Sequence, residues 1–140
     1  MNEHDVYLGN PNLKKANTQI EFTEEQVIEF LKCKEDPVYF ANNYMKIVSL
    51  DEGLVQFKPY DFQEKLINNF HENRFNICKM PRQTGKSTTS VSYLLHYCVF
   101  NDSVNIGILA NKAATARDLL GRLQTAYENL PKWMQQGIIS

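Results

Sequence analysis

The stretch Phe75-Asn76-Ile77-Cys78-Lys79-Met80-Pro81-Arg82-Gln83-Thr84-Gly85-Lys86-Ser87 decides the predicted fold. Its first six residues have the apolar pattern of a short strand, and the chain from Lys86 to Phe100 is nearly apolar after one turn, as expected for a helix buried against a sheet. Residues 104–110 form a stronger strand candidate. Two strands joined by a helix are normally parallel, with a right-handed crossover. The sequence therefore predicts an α/β fold with a parallel βαβ unit, preceded by helices and with an incomplete sheet.

Residues 1–20 are polar, with Gly9, Pro11 and four Asn, and are predicted to be a flexible leader. Residues 21–140 are predicted to be one domain. Thr23 and Gln26 have the spacing of a capping box, and Asp36-Pro37 predicts a second helix start. We expect all three cysteines to be buried reduced thiols, because their number and spacing fit neither a disulfide framework nor a metal site.

Further elements follow from the pattern around the βαβ unit. In the first helix Val27, Phe30 and Leu31 form the predicted apolar face. The apolar run from residue 47 to 57 breaks at 51–53, which predicts a hairpin. Asp61 is predicted to cap the next helix, and a last amphipathic helix is predicted to end at Pro131.

The composition excludes several classes of protein. With 43% hydrophobic and 22% charged residues, the chain is typical of globular proteins rather than disordered or collagen-like ones. It has no apolar run of membrane-spanning length and no basic, apolar start like that of a secretory signal, so we expect no membrane association and an intracellular location. A net charge of −1 gives no general indication of a nucleic-acid surface. The scattered histidines are expected to be structural or solvent-facing.

The loop between the first predicted strand and helix indicates phosphate binding. A glycine at position 85 permits close approach of the backbone to a phosphate, the Lys86 ammonium can reach the β and γ phosphates, and the Ser87 hydroxyl can bind Mg²⁺. Backbone N–H groups of the surrounding residues complete such a loop, and the expected contributors are Gln83, Thr84 and Thr88. The predicted βαβ unit is therefore of the P-loop NTPase type. The match is imperfect, because the P-loop pattern has glycine where this chain has Met80.

Gln63 is a candidate for reading an adenine edge, since its amide can donate and accept at once. Its aromatic neighbours Tyr60 and Phe62 are candidates for stacking on the base. The alternative interpretation makes Gln63 an exposed helix residue and Phe62 part of the core.

Several motifs together resemble the large terminase family of DNA-packaging proteins, in particular members from contractile-tail phages. Arg82-Gln83-Thr84-Gly85-Lys86-Ser87 is similar to the family's deviant Walker A motif, which lacks the first glycine and has an arginine four residues before the lysine. Asp61-Phe62-Gln63 resembles the family's glutamine motif, and residues 106–112 resemble its next strand and loop. Stretches near residues 9–14, 37–41 and 130–131 are also similar, so the resemblance covers nearly the whole chain.

The resemblance implies an ATPase that uses ATP and Mg²⁺. It implies that Lys86 binds phosphates, Ser87 binds Mg²⁺ and Gln63 recognises adenine. Arg82 is implied to act as an arginine finger that stabilises charge on the transferred phosphoryl group, with a plain salt bridge as the alternative. The family continues into a Walker B strand ending in Asp-Glu and a nuclease domain, neither of which occurs before Ser140. We therefore expect the chain to correspond to the N-terminal part of the ATPase domain and to be inactive alone.

The implied partners are double-stranded DNA, the portal protein and the small terminase subunit. A homo-oligomeric ring on the procapsid is implied for the full-length protein, in the host cell cytoplasm. Two alternatives remain open: a helicase-like P-loop NTPase, which a downstream Asp-Glu-x-Asp or Asp-Glu-x-His box would indicate, and a truncated binding module without catalysis.

Overall fold

A computed structural model describes residues 5–137 of the chain. Five α-helices and two separate two-stranded antiparallel sheets make up a small α/β fold. The helices are α1 (Glu24–Glu35), α2 (Pro37–Tyr44), α3 (Asp61–Glu72), α4 (Lys86–Phe100) and α5 (Ala113–Glu128). The strands are β1 (Val6–Tyr7), β2 (Asn10–Lys14), β3 (Lys46–Ser49) and β4 (Gly53–Gln56), and a short 3₁₀ helix spans Lys132–Met134.

Helix α4 lies at the centre of the fold and contacts α2, α3 and α5. Its residues Val91, Leu95, Val99 and Phe100 belong to one buried apolar cluster. The other helices contribute Cys33, Phe40, Ile67 and Ala126 to the same cluster, and Leu130 after α5 also belongs to it. The helix predicted from Lys86 to Phe100 is confirmed in both bounds.

Two helix starts are confirmed by their caps. The Thr23 hydroxyl accepts from Gln26 N at 3.2 Å, and the Gln26 side chain accepts from Thr23 N at 3.1 Å. Asp36 Oδ1 accepts from Val38 N and Tyr39 N, both at 3.0 Å, with Pro37 at the first helical position. Each side chain thus satisfies N–H groups that have no partner inside the helix.

The predicted hairpin is confirmed, since β3 pairs with β4 antiparallel and Gly53 (φ 73°) lies at its turn. The predicted cap of α3 is wrong by one residue. Asp61 is already helical and Tyr60 is the N-cap, because the Gln63 side chain accepts from Tyr60 N at 2.9 Å.

The predicted apolar face of α1 is only partly correct. Phe30 packs against the core and Cys33 is fully buried, whereas Val27 and Leu31 are 44% and 55% exposed. The prediction for the cysteines is also only partly correct, because Cys78 is exposed and Cys98 is half-buried. All three thiols are free.

The two predicted parallel strands are not paired within residues 5–137, so the described residues show a small α/β fold without the expected βαβ unit. A strand is stabilised by hydrogen bonds to a neighbouring strand, and neither residues 75–80 nor residues 104–110 have one in the described chain. Phe75, Ile77 and Leu109 are consequently 84%, 100% and 92% exposed. Residues 104–109 still alternate between half-buried and exposed, the period of an extended strand with one face inward.

Part of the predicted leader has regular structure. Strands β1 and β2 form a hairpin whose turn residues Leu8 and Gly9 both have positive φ (49° and 73°), as two-residue hairpin turns require. The hairpin is tied to the end of the described chain: Lys14 N donates to Gln135 Oε1, and Gln135 Nε2 donates to Asn12 O, both at 2.9 Å. Residues 1–4 of the predicted leader lie outside the described residues.

A buried histidine sits in the core between α1 and α4. His96 is 2% exposed, its Nε2 lies 2.8 Å from Cys33 O, and its ring contacts Phe40, Phe100, His71 and Tyr93. Its Nδ1 is buried and has no partner in the described structure. Burial lowers the pKa of His96 to about 4, so the imidazole is neutral at physiological pH.

Candidate functional site: the loop before helix α4

The loop that precedes α4 turns through two residues with left-handed backbone conformation. Gln83 has φ 62°, and Gly85, the N-cap of α4, has φ 76° and ψ 20°. The Thr84 hydroxyl donates to Pro81 O at 2.9 Å, and this hydrogen bond stabilises the turn. A backbone that alternates in this way forms a concave surface with N–H groups directed inward, which is a common form of anion site.

The first turn of α4 supplies further N–H donors. The first intrahelical bond is donated by Thr89 N to Gly85 O at 3.0 Å, so the N–H groups of Lys86, Ser87 and Thr88 lie before it. Helix α4 is 15 residues long, and its dipole adds positive potential at the same end. Together these groups favour a negatively charged ligand such as a phosphate.

Lys86 spans the loop. Its Nζ donates to Met80 O at 3.0 Å, at the position where the P-loop pattern has its first glycine. The side chain is half-buried, and its ammonium has two further hydrogens for other acceptors. The positive charge is thus held over the loop and remains able to bind a phosphate oxygen.

Gln63 contacts the loop although it lies 22 residues before Gly85. Its Nε2 donates to Gly85 O at 3.4 Å while its Oε1 accepts from Tyr60 N at 2.9 Å, and the side chain is only 4% exposed. The alternative that made Gln63 exposed and Phe62 core is therefore reversed, since Phe62 is 44% exposed. The structure brings Gln63 and the loop before α4 together, and both ends of the Gln63 amide form hydrogen bonds.

Tyr60 and Phe62 form an exposed aromatic pair beside Gln63. Their rings stack with centroids 5.9 Å apart and an interplanar angle of 14°, and Tyr60 is 70% exposed. A flat aromatic face of this kind is suited to stacking against a planar ligand. It lies at the N-terminus of α3, the same helix end that Gln63 connects to the loop.

Arg82, Gln83 and Ser87 are exposed on the loop. Arg122 and Asp118 on α5 form an ion pair at 3.1 Å. Arg82 forms none within residues 5–137, so the alternative in which Arg82 makes a salt bridge is not observed in that range. The Arg82 guanidinium is free to approach a bound anion.

The residues present fit Mg²⁺ only together with a phosphate ligand. No group of three or more His, Cys, Asp or Glu that would hold a metal occurs in the described part of the chain. Magnesium in nucleotide sites is bound through one or two protein oxygens together with substrate phosphates and waters. The exposed Ser87 hydroxyl, in the first turn of α4 beside the N–H donors, is a suitable single oxygen.

Thr89 is the one residue of this site that the motif did not reveal. It is fully buried, and its hydroxyl donates to Gly85 O at 2.8 Å, four residues back. Threonine inside a helix commonly bonds to the carbonyl four residues before it, and this is the only sequence signal that points to the contact.

No model of a known protein family matches this chain. Across residues 5–137 no helix has both the length and the apolar character needed to cross a membrane. The resemblance to large terminases therefore depends on the motifs quoted above, and the function that follows from it is a proposal.

Proposed function

We propose that the chain binds ATP with Mg²⁺ at the loop of residues 82–88 and is the nucleotide-binding part of a phage large terminase. In that family ATP hydrolysis drives double-stranded DNA into the procapsid. The observation that carries the proposal is the conformation of Gly85, which is left-handed, starts a 15-residue helix with Lys86 as its first residue, and contacts Gln63. A glycine of this conformation at the start of a helix supports the proposal, because it is what a phosphate loop requires on its helix side.

Each loop residue has a distinct role in the proposal. Lys86 binds the β and γ phosphates, and backbone N–H groups from Gln83 to Thr88 surround them. Bound Mg²⁺ neutralises phosphate charge, with Ser87 as its protein ligand. Arg82 stabilises the charge that develops on the transferred phosphoryl group. At the other end of the nucleotide, Tyr60 and Phe62 stack on the base and Gln63 contacts its edge.

The proposal also includes the fold around the loop. Residues 75–80 and 104–110 are the strands of a parallel βαβ unit whose sheet requires further strands. Support comes from the burial alternation of residues 104–109 and from the exposed apolar side chains of Phe75 and Ile77, which a paired sheet would cover. Double-stranded DNA, the portal protein and the small terminase subunit are the proposed partners of the full-length ring, in the host cytoplasm.

ATP binding tests the proposal directly. Titration calorimetry with ATP and Mg²⁺ should give a saturable signal for the wild-type chain, and Lys86→Ala should weaken it about 10- to 100-fold through loss of a charged hydrogen bond. Lys112→Ala is the matched control, because Lys112 is an exposed lysine at the start of α5. A wild-type chain that does not bind ATP, or equal losses in both variants, would contradict the proposal.

Turnover is a separate readout. Phosphoryl transfer requires a residue that positions the attacking water, and in the proposed family this is the Walker B glutamate. The 140-residue chain alone should therefore bind ATP with negligible hydrolysis. Robust hydrolysis that depends on Lys86 would contradict this assignment while leaving ATP binding intact.

A further inference from the structure

Three donors converge on a single carbonyl oxygen at the start of α4. Gly85 O accepts from Thr89 N at 3.0 Å, from Thr89 Oγ1 at 2.8 Å and from Gln63 Nε2 at 3.4 Å. Both side chains are buried, Thr89 at 0% and Gln63 at 4% exposure. The hydrogen bonds from these buried side chains and from Thr89 N fix the direction of the carbonyl.

The direction of this carbonyl determines the direction of the next N–H group. Gly85 C=O and Lys86 N–H belong to one planar trans peptide, in which the two bonds point in opposite directions. Glycine has unusually free φ and ψ angles, so the backbone around Gly85 is the part of the loop most able to rotate. When the carbonyl is fixed toward α4 and Gln63, the Lys86 N–H is fixed toward the opposite, concave side of the loop.

We propose that Thr89 and Gln63 are positioning residues that lock the Gly85–Lys86 peptide and so aim the Lys86 N–H at a bound phosphate. This inference rests on the proposed nucleotide binding and adds to it the two side chains that preorganise the phosphate loop. Neither residue needs to touch the phosphate. Preorganised N–H donors bind an anion more tightly, because no conformational entropy is lost in ordering them when the anion binds.

Gln63 also connects the Gly85–Lys86 peptide to the start of helix α3. Its Oε1 accepts from Tyr60 N at the start of α3, so one amide connects the aromatic pair with the phosphate loop. Binding of a base on the pair and of phosphates in the loop then share one buried side chain. A Gln63 that only read the base would have no effect on phosphate binding, and this difference makes the inference testable.

The experiment compares ATP with inorganic tripolyphosphate, which has the phosphates without the base. Thr89→Val removes the hydroxyl at nearly constant volume, and Thr89→Ser restores a hydroxyl. Gln63→Glu keeps an acceptor for Tyr60 N but replaces the donor to Gly85 O with a second carboxylate oxygen. Ser92→Ala is the matched control, because the Ser92 hydroxyl is equally buried on α4 and has no partner in the described structure.

Thr89→Val and Gln63→Glu should each weaken tripolyphosphate and ATP alike, by roughly tenfold. Thr89→Ser and Ser92→Ala should stay within a factor of about two of wild type. Thermal melting of every variant checks that affinity is compared between folded proteins, and Gln63→Glu keeps the test valid if Thr89→Val does not fold.

Failure of the proposed function and failure of this inference would give different results. Wild-type chain that binds neither ATP nor tripolyphosphate overturns the proposed function, and the inference with it. If the wild type binds both, the inference is overturned by folded Thr89→Val and Gln63→Glu variants with unchanged tripolyphosphate affinity. Loss of ATP binding alone in Gln63→Glu would also overturn it, because it would assign Gln63 to the base only.

Discussion

A Cβ atom placed on Gly85 would lie 2.4 Å from Nε2 of Gln63, closer than any ordinary carbon contact. The same position has φ 76°, a conformation that L-residues with side chains adopt only at a cost. Two independent features therefore favour glycine at position 85: the left-handed φ, and the Gln63 amide on α3, which would have to shift to make room for a Cβ atom.

Gly85→Ala should destabilise the chain by more than left-handed strain alone, which costs about 1–2 kcal/mol. Gly53→Ala is the control for strain, since Gly53 has φ 73° and open space around its Cα. Urea denaturation of the two variants separates the two costs, and the excess at Gly85 measures the clash with Gln63. Equal losses in both variants would show that the Gln63 side chain moves aside freely.

The stability of the chain should fall as pH decreases from about 6.5 toward 4. Burial lowers the pKa of His96 to about 4 in the folded protein, below its value of about 6.5 in an unfolded chain. The unfolded state therefore binds more protons in this window, and linkage predicts a loss of roughly 2 kcal/mol between pH 7.5 and 5. Above pH 7 this contribution should be constant.

His96→Phe is expected to reduce this dependence of the unfolding free energy on pH. Denaturant unfolding at several pH values measures the effect. His71→Phe is the control, because His71 is an exposed histidine on α3 that touches the same ring cluster. The comparison should stay above pH 4.5, since hydrogen bonds from Tyr44 and Tyr39 lower the pKa of Glu29 and add acid sensitivity below that range. An unchanged pH dependence of stability in His96→Phe would contradict the assignment of this effect to His96.

Exposed apolar side chains on residues 75–80 and 104–110 should promote self-association. Ile77→Lys combined with Leu109→Lys should lower the apparent mass at high concentration, because exposed apolar surface favours association. Folding stability should change by less than about 0.5 kcal/mol, since both side chains lie outside the core. Light scattering after size-exclusion chromatography gives the mass. If the mass is the same for wild type and the double variant, these segments do not mediate association.

The Asp36 cap should contribute about 1 kcal/mol to stability. Asp36→Ala removes the acceptor for Val38 N and Tyr39 N, whereas Asp36→Asn keeps a side-chain oxygen in the same place. Denaturant unfolding should show the loss in the first variant and little change in the second. A loss of similar size in both would mean that the charge of Asp36, rather than its hydrogen bonds, stabilises α2.

The elements that could be predicted from the sequence are those set by local chemistry. The Thr23–Gln26 box, Asp36-Pro37 and the apolar spacing of α4 act within a few residues, and all three are confirmed. The strands predicted at 75–80 and 104–110 are not paired among the described residues, because an apolar pattern alone does not supply a hydrogen-bonding neighbour. The β1–β2 hairpin was missed because its turn, Leu8-Gly9, has a leucine where such turns favour Asn or Gly.

The candidate site could be predicted in part for the same reason. Residues 82–88 are contiguous, so their order revealed the loop, and the structure supplies its left-handed Gly85. The contact from Gln63 to Gly85 spans 22 residues and depends on how α3 packs against α4, which no local pattern encodes. Thr89 shows no distinctive spacing and was found only from its hydrogen bond.

The bonds between Gln135 and the β1–β2 hairpin have a consequence for synthesis on the ribosome. Asn12 and Lys14 precede Gln135 by 123 and 121 residues, so the hairpin emerges long before its partner exists. These bonds cannot form until residue 135 has been synthesised and has left the ribosome. Nascent chains arrested before residue 135 should therefore leave the hairpin open to proteases, and the released 140-residue chain should protect it.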